Sequence, residues 1–102
     1  MNDRYELHEE LCSVLESRNV YFQAPSNLMM KYPCIRYKFS GISSKHANDY
    51  IYNYTKRYDG IIIDSDPDSG IPEKLLAHFQ MFSLGTPYIA DNLYHYPFTL
   101  YY

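Results

Sequence analysis

The chain reads as a single α+β domain over residues 1–102: a mostly antiparallel or mixed sheet of about four to five strands, packed with an N-terminal helix and a second short helix. Three observations predict this. Leu7, Leu11, Val14 and Leu15 recur at helical spacing near the start. Residues 34–39 and 98–102 alternate apolar and polar side chains, the period of a strand with one wet face. Between them, Ile71-Pro72 opens a segment with Leu75, Leu76 and Phe79 at helical spacing, and proline suits a first helical turn.

In chain order, residues 3 to 18 read as one amphipathic helix, with Asp3 as N-cap, Arg18 on the apolar face and Asn19 ending it. Val20-Tyr21-Phe22-Gln23 follows as a short strand. The loop from 24 to 33 carries Pro25, Pro33 and Leu28-Met29-Met30, whose methionines either seal the core or adapt to a neighbouring subunit. In residues 34–39, Ile35, Tyr37 and Phe39 share one side and Arg36 and Lys38 the other. Residues 41–48 read as a polar connection and 49–63 as a long strand region. Gly60 suggests a bulge or bend in it, and Ile61-Ile62-Ile63 should be central. Ser69 is positioned to cap the second helix. Residues 81–84 and 94–102 supply two more strands, the last alternating through Tyr101-Tyr102, which are expected to be paired in the sheet or held at a subunit contact.

Composition narrows the function classes. A chain of 102 residues with 46% hydrophobic content supports one core, burying roughly 60 to 70% of its unfolded surface. A net charge of −3, with Lys31, Lys38, Lys45, Lys56 and Arg57 spread along the sequence, argues against a concentrated basic face for nucleic acid. No apolar stretch approaches the ~18 residues of a membrane span, and the N-terminal residues lack a signal-peptide core, so a soluble, intracellular protein without membrane partners is expected. Cys12 and Cys34 lack metal-type spacing and read as buried free thiols. Thirteen tyrosines with no tryptophan favour half-wet contacts, because tyrosine joins a large apolar ring to a hydroxyl.

The sharpest catalytic suggestion is Asp64-Ser65-Asp66-Pro67-Asp68, alternating carboxylates directly after a hydrophobic strand, where a hard cation could bind. The calcium-loop template fails, since its glycine would fall at Ser69 and its bidentate glutamate at Leu75. A solvated strand-to-helix turn accounts for the same residues. His8-Glu9-Glu10-Leu11-Cys12 resembles a zinc-protease helix only until Cys12 replaces the second histidine. His46, His78 and His95 share no ligand spacing. Asp91-Asn92 reads as a turn. No catalytic residue, metal site or cofactor is expected.

The ordered set Leu7-His8-Glu9-Glu10-Leu11, Val20-Tyr21-Phe22-Gln23, Tyr32-Pro33-Cys34-Ile35, Asn48-Asp49, the segment from Asp64 to Leu75 and Tyr88-Ile89-Ala90-Asp91-Asn92-Leu93-Tyr94-His95 resembles a family of small tail-terminator or tail-completion proteins of long-tailed bacteriophages. The resemblance implies a non-enzymatic virion protein of the tail and neck, present in the host cytoplasm during assembly. It implies a homo-oligomeric ring, generally hexameric, on the head-proximal end of the tail tube. Its partners would be the major tail tube protein and the head-tail connector or stopper, with DNA passing through without specific binding. Within that resemblance the candidate interface residues are Met29, Met30, Asp91, Asn92, Tyr94, Tyr101 and Tyr102. The alternatives are another head-tail joining component, such as a stopper or connector adaptor, and a small metal-dependent enzyme.

Overall fold

The computed structural model describes residues 4–23, 31–47 and 50–102, with backbone alone for 43–47 and 50–54. Asp3, Met29 and Met30 lie outside the described residues. The elements are α1 (Arg4–Leu15), β1 (Val20–Phe22), β2 (Cys34–Ala47), β3 (Tyr50–Asp64), α2 (Ile71–His78), β4 (Phe82–Leu84), β5 (Tyr88–Ala90) and β6 (Leu93–Tyr101). Two helices and a six-stranded mixed sheet make an α+β domain, one strand more than the upper expectation.

Helix α1 buries Leu7, Leu11, Cys12 and Leu15. It stops three residues before the expected end because Glu16 turns left-handed, at φ 60°. The amide of Ser17 then donates to the Cys12 carbonyl at 3.2 Å and that of Glu16 to Ser13 at 3.3 Å, a Schellman closure that satisfies the last carbonyls. Arg18 is therefore off the helix and exposed, where its guanidinium grips both carboxylate oxygens of Glu9 at 2.8 and 3.1 Å.

The sheet order is β1-β2-β3-β6-β4, with β5 also paired to β6. Strand β1 runs parallel to β2 and every other pair is antiparallel. Strand β3 is central, as Ile61-Ile62-Ile63 suggested. Side by side across β2, β3 and β6 lie Ile35, Ile62 and Tyr96, and next to them Tyr37, Gly60 and Phe98. Together with Tyr58 and Leu100 they form the core face, covered by Leu7 and Leu11 of α1 and Leu75 of α2.

Gly60 is not a bulge. It keeps regular pairing with both neighbours, and a Cβ there would sit 2.4 Å from the Phe98 ring and 2.6 Å from the Arg36 carbonyl oxygen. Glycine is required because the Phe98 ring lies over its backbone. The register shifts fall instead between Phe39 and Gly41 and between Lys45 and His46 of β2, with Gly41 at φ 145°. The polar connection expected over 41–48 is also corrected: β2 continues to Ala47, because β3 runs antiparallel beside it and pairs with it through a stretch whose side chains carry no strand signal.

Helix α2 has Gly70 at its N-cap, without a side-chain cap bond. Ser69 sits one position too early to be that cap, yet its Oγ accepts from the Ile71 amide at 3.3 Å. Leu75 and Phe79 are buried whereas Leu76 is exposed, so the expected apolar stripe is narrower by one residue. Strand β5, absent from the expected elements, forms a tight hairpin with β6, Ala90 facing Leu93.

Candidate functional site

The acidic turn is built from its own backbone. The Asp66 amide donates to Asp64 Oδ1 at 3.1 Å and the Asp68 amide to Asp66 Oδ1 at 2.9 Å, two successive Asx turns that carry the chain from β3 towards α2. Asp64 is buried, while Asp66 and Asp68 face solvent. Tyr96 donates its hydroxyl to the Pro67 carbonyl at 3.3 Å, pinning the turn to β6. Burial first, then the carboxylates of Asp64, Asp66 and Asp68, push the Tyr96 phenol up. Among the described residues, no three His, Cys, Asp or Glu side chains converge as a metal site.

His8, His78 and His95 have partners within the fold, and the His46 side chain lies outside the described residues. His8 Nδ1 lies 2.8 Å from the Tyr37 hydroxyl, and Arg4 bonds the same hydroxyl from the other side. Burial, followed by the charges of Arg4 and Arg18, lowers the His8 pKa and so favours the neutral ring. His78 meets Glu10 at 3.0 Å, and Glu10 also accepts from the Tyr102 hydroxyl. His95 stacks on Tyr88 with centroids 4.8 Å apart. Cys12 and Cys34 are free and buried, and burial raises both thiols, Cys34 to about 11. A thiol so placed is a weak nucleophile at neutral pH.

On the sheet face away from the helices, Asp59 organises a polar network. It accepts from Ser40 Oγ at 2.7 Å and Thr99 Oγ1 at 2.9 Å, and meets Arg57 Nε at 3.4 Å. The Ser40 bond above all, then the Thr99 bond and the Arg57 charge, hold its carboxyl below the ordinary range against the opposing effect of burial. Beside it an open groove of about 580 Å³ runs over Arg36, Lys38, Ile61 and Pro97.

The outstanding feature is a two-stranded ribbon. Strand β6 pairs with β3 only from Arg57 to Asp64, and β1 pairs with β2 only from Ile35 to Tyr37. Beyond these limits, among the described residues, β2 and β3 pair only with each other, through residues 43–47 and 50–55. The 15 residues of β3, at ~3.3 Å each, account for a molecule measuring 51 × 24 × 23 Å. By register Lys38 lies opposite Asp59, Lys45 opposite Asn53, Lys56 opposite Ile42 and Arg57 opposite Gly41, so the basic residues are spread along these two strands. Phe39 and Ile42, at 43% and 62% exposure, stand at the ribbon's base.

Of the expected interface residues, Asp91 and Asn92 form the exposed β5–β6 turn at φ 53° and 62°, the pair of positive angles a two-residue hairpin demands. Tyr94 is half-buried and lies opposite Asp64. Tyr101 donates its amide to Met81 at 2.9 Å, and Tyr102 exchanges backbone bonds with Lys56 at 2.9 and 3.3 Å. These two tyrosines are thus paired into the sheet. Sequence reading missed Ile42, Tyr88 and Ile89, all exposed; the short apolar run Tyr88-Ile89-Ala90 directly before the turn residues Asp91-Asn92 was the available signal of a hairpin arm. No family model and no curated protein matches this chain.

Proposed function

We propose that the protein is a structural subunit of a bacteriophage tail, a terminator that forms a ring on the head-proximal end of the tail tube, stops its polymerisation and gives the head connector a docking face. The order of motifs along the chain supports the family. The observation that carries the assembly role is the ribbon of residues 43–47 and 50–55, which among the described residues extends past the covered sheet with no strand on either edge. A two-stranded ribbon buries little by itself and is stabilised when a third surface covers it. Open strand edges at one end of an asymmetric subunit suit a heterologous contact, which closes into a ring when the rotation per subunit permits.

In the acidic turn Asp64 Oδ1 and Asp66 Oδ1 accept backbone amides, the arrangement of a strand-to-helix turn. Electron microscopy of phage particles with the gene disrupted tests the function. Tails of irregular or excessive length beside unjoined, filled heads are expected. Normal free tails with emptied heads would move the protein to a stopper or adaptor role, and intact infectious particles would remove it from morphogenesis.

A further inference from the structure

The sheet face away from the helices holds a groove that the assembly role does not use. Side by side across β2, β3 and β6 on that face lie Arg36, Ile61 and Pro97, and in the next row Lys38, Asp59 and Thr99. The groove of about 580 Å³ runs over these rows. Its floor is aliphatic at Ile61 and Pro97, both half-buried, and its β2 side carries the two cations.

Charge on this face departs from that of the chain. Arg36, Lys38 and Arg57 stand there against Asp59 alone, a local excess of two positive charges in a protein of net −3. The Asp59 carboxylate is occupied by Ser40, Thr99 and Arg57, and among the described residues Lys38, exposed and opposite it in register, forms no ion pair. Gln23 lines the same groove and accepts the Phe39 amide at its Oε1, 3.4 Å away, so the NH2 of that group is its remaining donor.

Strand spacing selects the ligand. Neighbouring strands lie ~4.8 Å apart, which puts Ile61 and Pro97 about 4.8 and 9.6 Å from the cation row of β2. In an extended peptide, side chains two residues apart share a side and stand about 6.6 Å apart. A segment crossing the strands therefore sets a carboxylate on Arg36 and Lys38 and its next same-side residue between Ile61 and Pro97. A phosphate chain fits less well, because its successive charges would run from the cations onto Asp59 and the uncharged β6 row. A small molecule would be enclosed on few sides, since the groove lies open along the sheet.

We infer that this groove binds an extended acidic segment of a partner protein, with a Glu or Asp side chain on Arg36 and Lys38 and an apolar side chain two residues on over Ile61 and Pro97. Charge complementarity sets the first residue of the partner, and the aliphatic floor sets the second. The site is separate from the β2–β3 ribbon and does not rest on the tail reading.

Titration of the isotope-labelled protein with the capped peptide Ser-Glu-Ser-Leu-Ser, followed by two-dimensional amide NMR, is the test. Saturable shifts are expected at the amides of Arg36, Lys38 and Ile61, with affinity at least about threefold weaker at about 500 mM salt than at about 50 mM. Lys38→Gln is expected to lose at least about threefold in affinity and R36Q/K38Q at least about tenfold, whereas Lys74→Gln, on α2 across the sheet, loses nothing. Should the double variant fail to fold, Lys38→Gln decides alone, because Lys38 is exposed. Peptides with Gln for Glu, or Ser for Leu, are expected to give no saturable shift.

No saturable shift with the Glu-Ser-Leu peptide up to about 10 mM overturns the inference. Equal binding of the glutamine peptide, or undiminished affinity in folded Lys38→Gln, also overturns it. A short oligothymidylate that shifts these amides at lower concentration than the peptide overturns it in favour of nucleic acid.

Discussion

The two halves of strand β3 live in different surroundings. From Tyr58 to Ile63 it is flanked on both sides, by β2 and β6, and one face is sealed by Leu7, Leu11 and Leu75. From Tyr50 to Thr55, among the described residues, it has β2 alone as its strand partner. Backbone pairing is continuous across the whole strand, so the difference lies in covering. Hydrogen bonds bring small net stability in water, and burial of apolar surface supplies the larger share. The covered half is therefore the source of folding stability, and the ribbon is surface that association can bury.

The largest expected effect is in the covered half. Gly60→Ala drives a methyl into the Phe98 ring and the Arg36 carbonyl, and is expected to cost about 3 kcal/mol or prevent folding, measured by urea denaturation. Gly41→Ala meets nothing within 4 Å, but forces an L residue to φ 145°. Its cost should be smaller, about 1 to 2 kcal/mol. If the two substitutions cost the same, the distinction between the halves fails.

Next, Leu100→Ala removes a fully buried side chain and should lose about 2 to 5 kcal/mol, whereas Ile42→Ser should change monomer stability by less than about 0.5 kcal/mol and weaken self-association instead. Urea midpoints at low protein concentration, set beside sedimentation at high concentration, separate the two.

The pH response should also divide. The folded chain disfavours protonated His8, so the unfolded state takes up the proton first, and the contribution of neutral His8 is complete above about pH 6.5 and declines as pH falls below it. Comparing urea midpoints at about pH 8 and pH 5.5, the wild type should lose stability on acidification and His8→Gln should lose less. Asp59, with its carboxyl lowered, contributes stability above the ordinary carboxylate range of about pH 4, and this is lost as pH falls through its folded value. Asp59→Asn should flatten that second, more acidic decline. The smallest effect is chemical: Cys34, raised to about 11, should react with a thiol reagent only as fast as the protein unfolds.

What was legible in the sequence had a local cause. Helix α1 and the start of β2 announce themselves by period, and Asp91-Asn92 by side chains suited to positive φ. Residues 41–47 were illegible because glycine, serine, lysine and histidine have no strand period, and only the long partner strand makes them one. Gly60 was misread because its reason lies in Phe98, a neighbour through pairing and not through sequence.

Hydrogen exchange read by mass spectrometry, on dilute and concentrated protein at low salt, tests most directly whether the ribbon is the docking element. Peptides from 43–55 should exchange faster than those from 58–63 in the dilute monomer, and should gain protection on association. Association with the ribbon's exchange unchanged would contradict the account.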